Sequence, residues 1–297
     1  MAFEPRFTIT PHMVRCINAI ERTVGFLQAV KLSGGDVLDR LREECRVQEA
    51  LNSVQIEGNS LTLEQAFTLA RDGDFDREMP DTDREFVNYL QAFDALDAFK
   101  NNRDLQLRAT DLRSVHQMLV QGVRGGSRYA GTFRSEPVKV GNVVDGETIV
   151  YHEPPAPGDV PELIAELMEW LEVAKQKPKA GTREESDDTH WVHPAMVSAI
   201  LHHRLVWIHP FVDGNGRTTR MFATLLLYQR GYDFKYLFEQ SSYYNNKGDR
   251  TKYYRMLRTA DRRGDYTEWL GYALGGLANQ MYKVRVRAEK VLAASAP

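Results

Sequence analysis

Within residues 209–220, HPFVDGNGRTTR, one imidazole, one carboxylate and two guanidinium groups surround a glycine-rich turn. His209 precedes Pro210, which pushes its backbone toward an extended conformation and out of the helix expected over 190–208. Asp213-Gly214-Asn215-Gly216 reads as a turn, and RTTRMFATLLLYQR reads as a mostly buried helix closed by Gly231. A loop feeding a helix N-terminus leaves backbone N–H groups free, and glycines let a ligand approach them, so this is the layout of an anion site. Arg217 and Arg220 lie three apart and share a face, about 4.5 Å apart along the axis. That spacing suits successive phosphates of a nucleotide. Asp213 suits Mg2+, which takes one or two carboxylates together with phosphate oxygens. His209, at the mouth of the turn, can take a proton from an attacking hydroxyl. A lone histidine near a core helix is more often structural, and arginines at i and i+3 more often form an ion-paired face. The combination at fixed spacing is what points to phosphate chemistry.

The elements around this stretch are mostly helical. The chain has 297 residues and a net charge of −3 with acids and bases interspersed, enough to bury a core and without the basic block of a nucleic-acid binder. The longest apolar runs, such as FATLLLY, are too short to span a bilayer. MAFEPRFTITPH lacks the layout of a secretory signal. With only Cys16 and Cys45, neither a disulfide framework nor a cysteine-rich zinc site is expected, and the expected location is the cytoplasm. Helical spacing of apolar residues predicts helices over 11–31, 36–57, 82–100, 109–122, 159–176, 190–208, 214–230, 249–261 and 265–291. A capping box at Thr62–Gln65 predicts another. EPVKVGNVVDGETIVYHEPP, residues 136–155, is rich in β-branched residues with Asp145-Gly146 in its middle, the mark of a hairpin. Residues 177–189 read as an exposed polar loop. The class is all-α with one small hairpin.

HPFVDGNGRTTR matches in full the Fic motif, HPFx(D/E)GNGRxxR, with nine fixed positions, and the chain is identified by it as resembling Fic proteins. Ile208 before the motif, His202 seven residues ahead of His209, GTFR at 131–134, the hairpin ending in EPP and KYYRML at 252–257 agree. The resemblance covers roughly 105–275. It divides the chain into an N-terminal helical region, 1–104, and a catalytic core with a C-terminal helix, 105–297. It implies a helical-bundle fold with a hairpin flap that transfers AMP from ATP to a Ser, Thr or Tyr hydroxyl of a protein, with Mg2+ or Mn2+ as cofactor. His209 would be the base and Asp213 would hold the metal. The amides of Gly214, Asn215 and Gly216, with the Asn215 side chain, would receive phosphate oxygens, and Arg217 and Arg220 would grip the β- and γ-phosphates. Doc-like kinases carry Lys at the position of Gly216, so Gly216 argues for nucleotidyl transfer.

Ser53-Val54-Gln55-Ile56-Glu57-Gly58 matches (S/T)xxxE(G/N), the inhibitory motif of Fic proteins. Ser53 and Glu57 lie one helical turn apart, and a carboxylate there could pair with Arg220 in a charge-assisted, bidentate bond of about 1.5–3 kcal/mol. Some relatives use this glutamate to remove AMP as well; whether Glu57 does so is open. Residues 136–152 resemble the Fic flap, onto whose edge a protein target would add as a strand. Val138, Lys139, Val140 and Gly141 would border the nucleotide. Tyr253 and Tyr254 would face the purine, with core tyrosines as the equal alternative for Tyr253. Asp261 falls where relatives place Asn, which leaves adenine inherited from the resemblance. The run Tyr243–Asn246 has no placement from sequence.

Two other readings stand beside the self-inhibited AMP transferase. One is a phosphotransferase or phosphocholine transferase on the same scaffold. The other is a non-catalytic regulatory module. Lys283–Arg287 is too small a basic footprint for nucleic acid. Relatives of this subgroup self-associate, so a homodimer is a further expectation that no single residue here carries.

Overall fold

The computed structural model describes residues 2–33, 39–99, 105–123, 127–144, 147–174, 192–232, 239–246 and 250–295. Among these are eleven α-helices and one two-stranded sheet, the class expected from periodicity. Helices α1 (Pro11–Ser33), α2 (Asp39–Ile56), α3 (Leu63–Asp72), α4 (Asp81–Ala95) and α5 (Ala109–Val120) come first. The strands β1 (Val140–Val144) and β2 (Glu147–His152) follow. Helices α6 (Val160–Ala174), α7 (Pro194–Ile208), α8 (Asn215–Gln229), α9 (Gln240–Asn245), α10 (Thr251–Arg263) and α11 (Thr267–Ser295) complete the chain.

Helices α7 and α8 sit at the centre, α7 because most of its surface is apolar and α8 because it buries its polar residues along with its apolar ones. Fourteen residues of α8 are buried, from Asn215 through Gln229 with only Gly216 less so, and a helix enclosed all round belongs inside a larger bundle. Several polar contacts within the core involve these two helices. Ser198 donates to the Ala223 carbonyl at 2.9 Å, Thr224 to the Arg220 carbonyl at 3.0 Å, and Trp269 to the Ala199 carbonyl at 2.7 Å.

One apolar core is shared by α2–α6 with α7 and α8, and includes Phe86, Phe93, Leu112, Phe211 and Phe222. A second joins α1, α10 and α11 to the other side of α7 around Trp269, Tyr244 and Tyr253. Each fully buried Leu or Phe contributes about 1.5–3 kcal/mol. Both cores draw on residues from either side of position 104. The centre is thereby fixed from two directions.

Local signals hold where they are self-contained. Thr62 accepts the Gln65 N–H at 3.3 Å while Gln65 Oε1 accepts the Thr62 N–H at 2.9 Å, the reciprocal bonds of a capping box. The hairpin is antiparallel, running from Val140↔His152 to Val144↔Glu147 with an irregularity between Val140 and Gly141. Its Asp145-Gly146 turn and the loop at 177–189 lie outside the described residues. No helix among the described residues is long and apolar enough to cross a membrane. Cys16 and Cys45 are buried and unbonded to each other.

Candidate active site

His209 ends α7 in the left-handed region, φ 50° and ψ 61°, and its N–H donates to the Leu205 carbonyl at 2.9 Å. This corrects the expectation of extended backbone before Pro210. The local preference is overridden because the strained residue is held from several sides. Arg134 Nε donates to the His209 carbonyl at 2.8 Å, Arg134 Nη2 to the Ile208 carbonyl at 3.3 Å, and the Arg134 N–H to the Pro210 carbonyl at 2.9 Å. Strain of this kind costs on the order of 1–3 kcal/mol and persists only where the surroundings fix it.

The His209 ring is held by one nitrogen. Nδ1 lies 3.3 Å from the Val206 carbonyl, which can only accept, so Nδ1 carries the proton and Nε2 keeps its lone pair. Burial pushes the imidazole down to about 4, and the Val206 carbonyl and the Glu57 carboxylate oppose that shift. His209 is therefore neutral at pH 7 and able to accept a proton.

The loop between His209 and α8 is closed by its own side chains and by His116. Asn215 accepts the Phe211 N–H at 2.9 Å and donates to the Phe211 carbonyl at 2.8 Å. That side chain is committed to shaping the loop, which leaves the Asn215 backbone N–H as its offer to an anion. His116, buried on α5, stacks flat on Phe211 with centroids 3.7 Å apart. Its Nε2 donates to the Asp213 carbonyl at 3.0 Å and its Nδ1 accepts the Gly131 N–H at 2.9 Å. Gly214 takes φ 74°, and a Cβ there would meet Val120 Cγ1 at 2.7 Å, so no other residue fits. Neither His116 nor Arg134 carries a functional signal in the sequence alone. The run GTFR is visible in the sequence, but the contact of Arg134 with His209 spans 75 residues.

At the N-terminus of α8 a carboxylate is already in place. Glu57, in the turn just after α2, accepts from Arg220 Nη2 at 2.7 Å. The fork is not bidentate as expected. Arg220 Nε donates to Ser53 Oγ and Nη2 also to the Ser53 carbonyl, both at 2.8 Å, so one guanidinium reads two places on α2. A Cβ on Gly216 would overlap the Glu57 carboxylate, coming within 2.9 Å of its Cδ and 3.0 Å of Arg220 Nη1. The carboxylate thus rests against the helix N-terminus at a spot only glycine leaves open. Arg220 Nη1 is buried with no hydrogen-bond acceptor among the described residues.

Arg217 turns elsewhere. Its Nη1 pairs with Glu85 on α4 at 3.1 Å and its Nη2 approaches Asp213 at 3.5 Å. The two arginines share helical spacing but not partners. The Asp213 carboxylate is 62% exposed, and no cluster of three or more metal-ligating side chains occurs among the described residues. A single exposed carboxylate beside an anion cradle fits Mg2+ that arrives with phosphate oxygens, since Mg2+ keeps most of its ligands from elsewhere.

A cavity of about 700 Å3 opens beside Glu57, between the flap and α10. Val140, Gly141, Tyr254 and Asp261 border it, and so do Trp207 and Arg258. Val138 and Lys139 are not brought to it. Tyr253 is not either: it is 2% exposed, its hydroxyl lies 2.8 Å from His202 Nε2, and its ring stacks on Tyr244. Asp261 pairs with His203 at 3.1 Å. On the flap side Arg258 lies over the Tyr151 ring, and His152 Nε2 donates to the Trp207 carbonyl at 2.8 Å.

The site thus lies on an α-helical scaffold, at a buried helix N-terminus that faces a carboxylate, with a hairpin beside it. A family model described as Fic/DOC family matches residues 106–227. A solved Fic family protein from Desulfovibrio desulfuricans G20 superposes with a TM-score of 0.73 at 30% identity, over 95% of this chain and 76% of that one. Fic-1 from C. elegans shares the fold at a TM-score of 0.62 and 20% identity, over 92% of this chain and 72% of that one. This chain belongs to the Fic family. It is 29% identical over 251 residues to the protein adenylyltransferase Fic of Drosophila melanogaster, which covers 83% of this chain and 44% of that protein. The Drosophila virilis counterpart is 30% identical over 232 residues, 75% of this chain and 40% of that protein. The chain thus spans less than half the length of these relatives.

Proposed function

We propose that the chain is a self-restrained protein adenylyltransferase that moves AMP from Mg·ATP to a hydroxyl of a protein target. The observation that carries this is the Glu57 carboxylate resting against the α8 N-terminus on Arg220, an anion held where a phosphate would lie, beside a cavity of nucleotide size. The relatives named as protein adenylyltransferases support the same reaction. His209 Nε2 takes the proton of the target hydroxyl. The oxygen bonds to the α-phosphorus, the bond from that phosphorus to the β-bridging oxygen breaks, and pyrophosphate leaves. The α8 N–H groups and Arg220 hold the triphosphate in line, so positioning and charge neutralisation supply most of the catalysis. Asp213 would hold the Mg2+ that comes with the nucleotide and neutralises its oxygens. The flap would align an extended segment of the target near His209.

Glu57 supplies the restraint. A triphosphate must displace it from Arg220 to seat fully, at a cost of about 1.5–3 kcal/mol, or roughly ten- to a hundredfold in activity. A side chain at position 216 could not coexist with Glu57 in this place, which weighs against the kinase arrangement with Lys there. The test is transfer by Glu57→Gly protein from ATP labelled separately on the α- and γ-phosphates. Retention of the α-label is expected, together with a gain over wild type. Retention of the γ-label alone, or transfer only from a CDP-linked donor, would overturn the reading.

A further inference from the structure

The underside of α2 rests on a polar seam of which the proposed function uses only Ser53 and Glu57. Glu49, Ser53 and Glu57 follow one another at i+4 on the helix and the turn after it. Ser53 and Glu57 meet Arg220, while Glu49 is fully buried one turn back. Its carboxylate accepts the Ser241 N–H at 2.9 Å and the Ser241 hydroxyl, with the Tyr89 hydroxyl 3.4 Å away. A buried carboxylate is tolerated only with donors of this kind. Four residues on, at the end of α9, Asn245 Nδ2 donates to Asn52 Oδ1 at 2.9 Å and Gln55 Oε1 at 3.0 Å. Arg250 Nη1 then caps the last carbonyls of α2, donating to Gln55 and Ile56. The short helix α9 touches α2 through side chains spaced along its whole length, and Glu57 follows the last of these contacts by two residues.

We infer that α9 sets the position of the restraining glutamate: Ser241 and Asn245 are positioning residues that act on the active site only through Glu57. This rests on the reading of Glu57 as a restraint. The seam fixes the rotation and height of α2, and a carboxylate that must meet one guanidinium nitrogen at hydrogen-bonding distance tolerates little slip in either. Loosening the seam frees Arg220 for a phosphate without touching a residue that holds one. The stretch Tyr243–Asn246 thereby gains a role: Tyr244 anchors α9 in the aromatic core and Asn245 grips the restraining helix.

The experiment uses the full chain with Ser241→Ala and Asn245→Ala, each alone and combined with Glu57→Gly, and Ser241→Thr as the conservative variant. Self-modification from α-labelled Mg·ATP and hydrogen–deuterium exchange are both read. Each alanine variant is expected to raise self-modification roughly tenfold, the effect of losing one buried hydrogen bond. Exchange of the amides of 53–58 should rise while those of α7 and α8 stay as in wild type. Neither substitution should add to Glu57→Gly, and Ser241→Thr should behave as wild type. Equal gains in the Glu57→Gly background, or unchanged exchange at 53–58, would overturn the inference. If Glu57→Gly protein transfers nothing from ATP, the enzymatic reading falls while the exchange data still decide whether α9 holds α2.

Discussion

Arg134 Nε donates to the His209 carbonyl at 2.8 Å, and Nη2 of the same guanidinium donates to the Pro155 carbonyl at 2.6 Å. One side chain thereby ties the left-handed end of α7 to the base of the flap. His209 and the base of the flap thus share one cation. Arg134→Ala, made in the Glu57→Gly background, is expected to lower transfer roughly a hundredfold, the scale of an ångström-sized misplacement. ATP binding by calorimetry should change little. Loss of ATP binding to the same extent as activity would contradict this division of labour.

The state of His209 gives a pH signature. Its imidazole is pushed down to about 4 by burial, so the free enzyme holds it neutral through the physiological range. In Glu57→Gly protein the carboxylate that opposes this shift is gone, so the acid limb of kcat/KM, which reports the free protein, is expected at or below that value. Bound phosphates favour the charged imidazolium and raise the group, so the limb of kcat should lie at higher pH. Rate profiles on Glu57→Gly protein extended to about pH 3 check this; a kcat limb below that of kcat/KM would refute it.

His116 makes a stability prediction. It is held neutral, about 4 against an ordinary 6.5, because burial outweighs its bond to the Asp213 carbonyl. A histidine lowered in the folded state binds fewer protons there than when unfolded, so stability falls as pH drops from 6.5 toward 4. Between pH 7 and pH 5 the loss attributable to this group is about 2 kcal/mol. Urea unfolding of wild type and His116→Gln should show a shallower decline in the variant by that amount; parallel curves would exclude it.

Arg220→Ala should separate its role from that of Arg217. Arg220 meets Glu57 and Ser53 and keeps Nη1 free of partners among the described residues, whereas Arg217 is engaged with Glu85 and Asp213. In Glu57→Gly protein, Arg220→Ala is expected to raise the KM for ATP about ten- to a hundredfold, the strength of a charge-assisted bond. In wild type it should also raise exchange at 53–58. An unchanged KM would assign the phosphate grip elsewhere.

What could be read from sequence was whatever local rules decide alone. The capping box at Thr62, the glycine turn that starts α8 and the hairpin of β1 and β2 depend on residues a few positions apart, and they appear as expected. The pairing of Glu57 with Arg220 was also legible, because both ends lie in recognisable motifs. What escaped depends on distant contacts. His209 is left-handed because Arg134 holds its carbonyl, against the preference imposed by Pro210. Arg217 and Arg220 diverge because Glu85 and Ser53 come from different helices. Tyr253 joins the core because Tyr244 and His202 close over it. The six-residue α9 is too short for a periodic signal.

The central claim is that one cradle holds Glu57 at rest and a triphosphate in action. It is tested most directly by crystal structures of wild-type and Glu57→Gly protein soaked with the same non-hydrolysable ATP analogue and Mg2+. The expected result is a γ-phosphate on Arg220 and an α-phosphate facing His209 Nε2 in the variant, with the phosphates displaced from that path in wild type. An identical triphosphate pose in both, with Glu57 still on Arg220 in wild type, would contradict it.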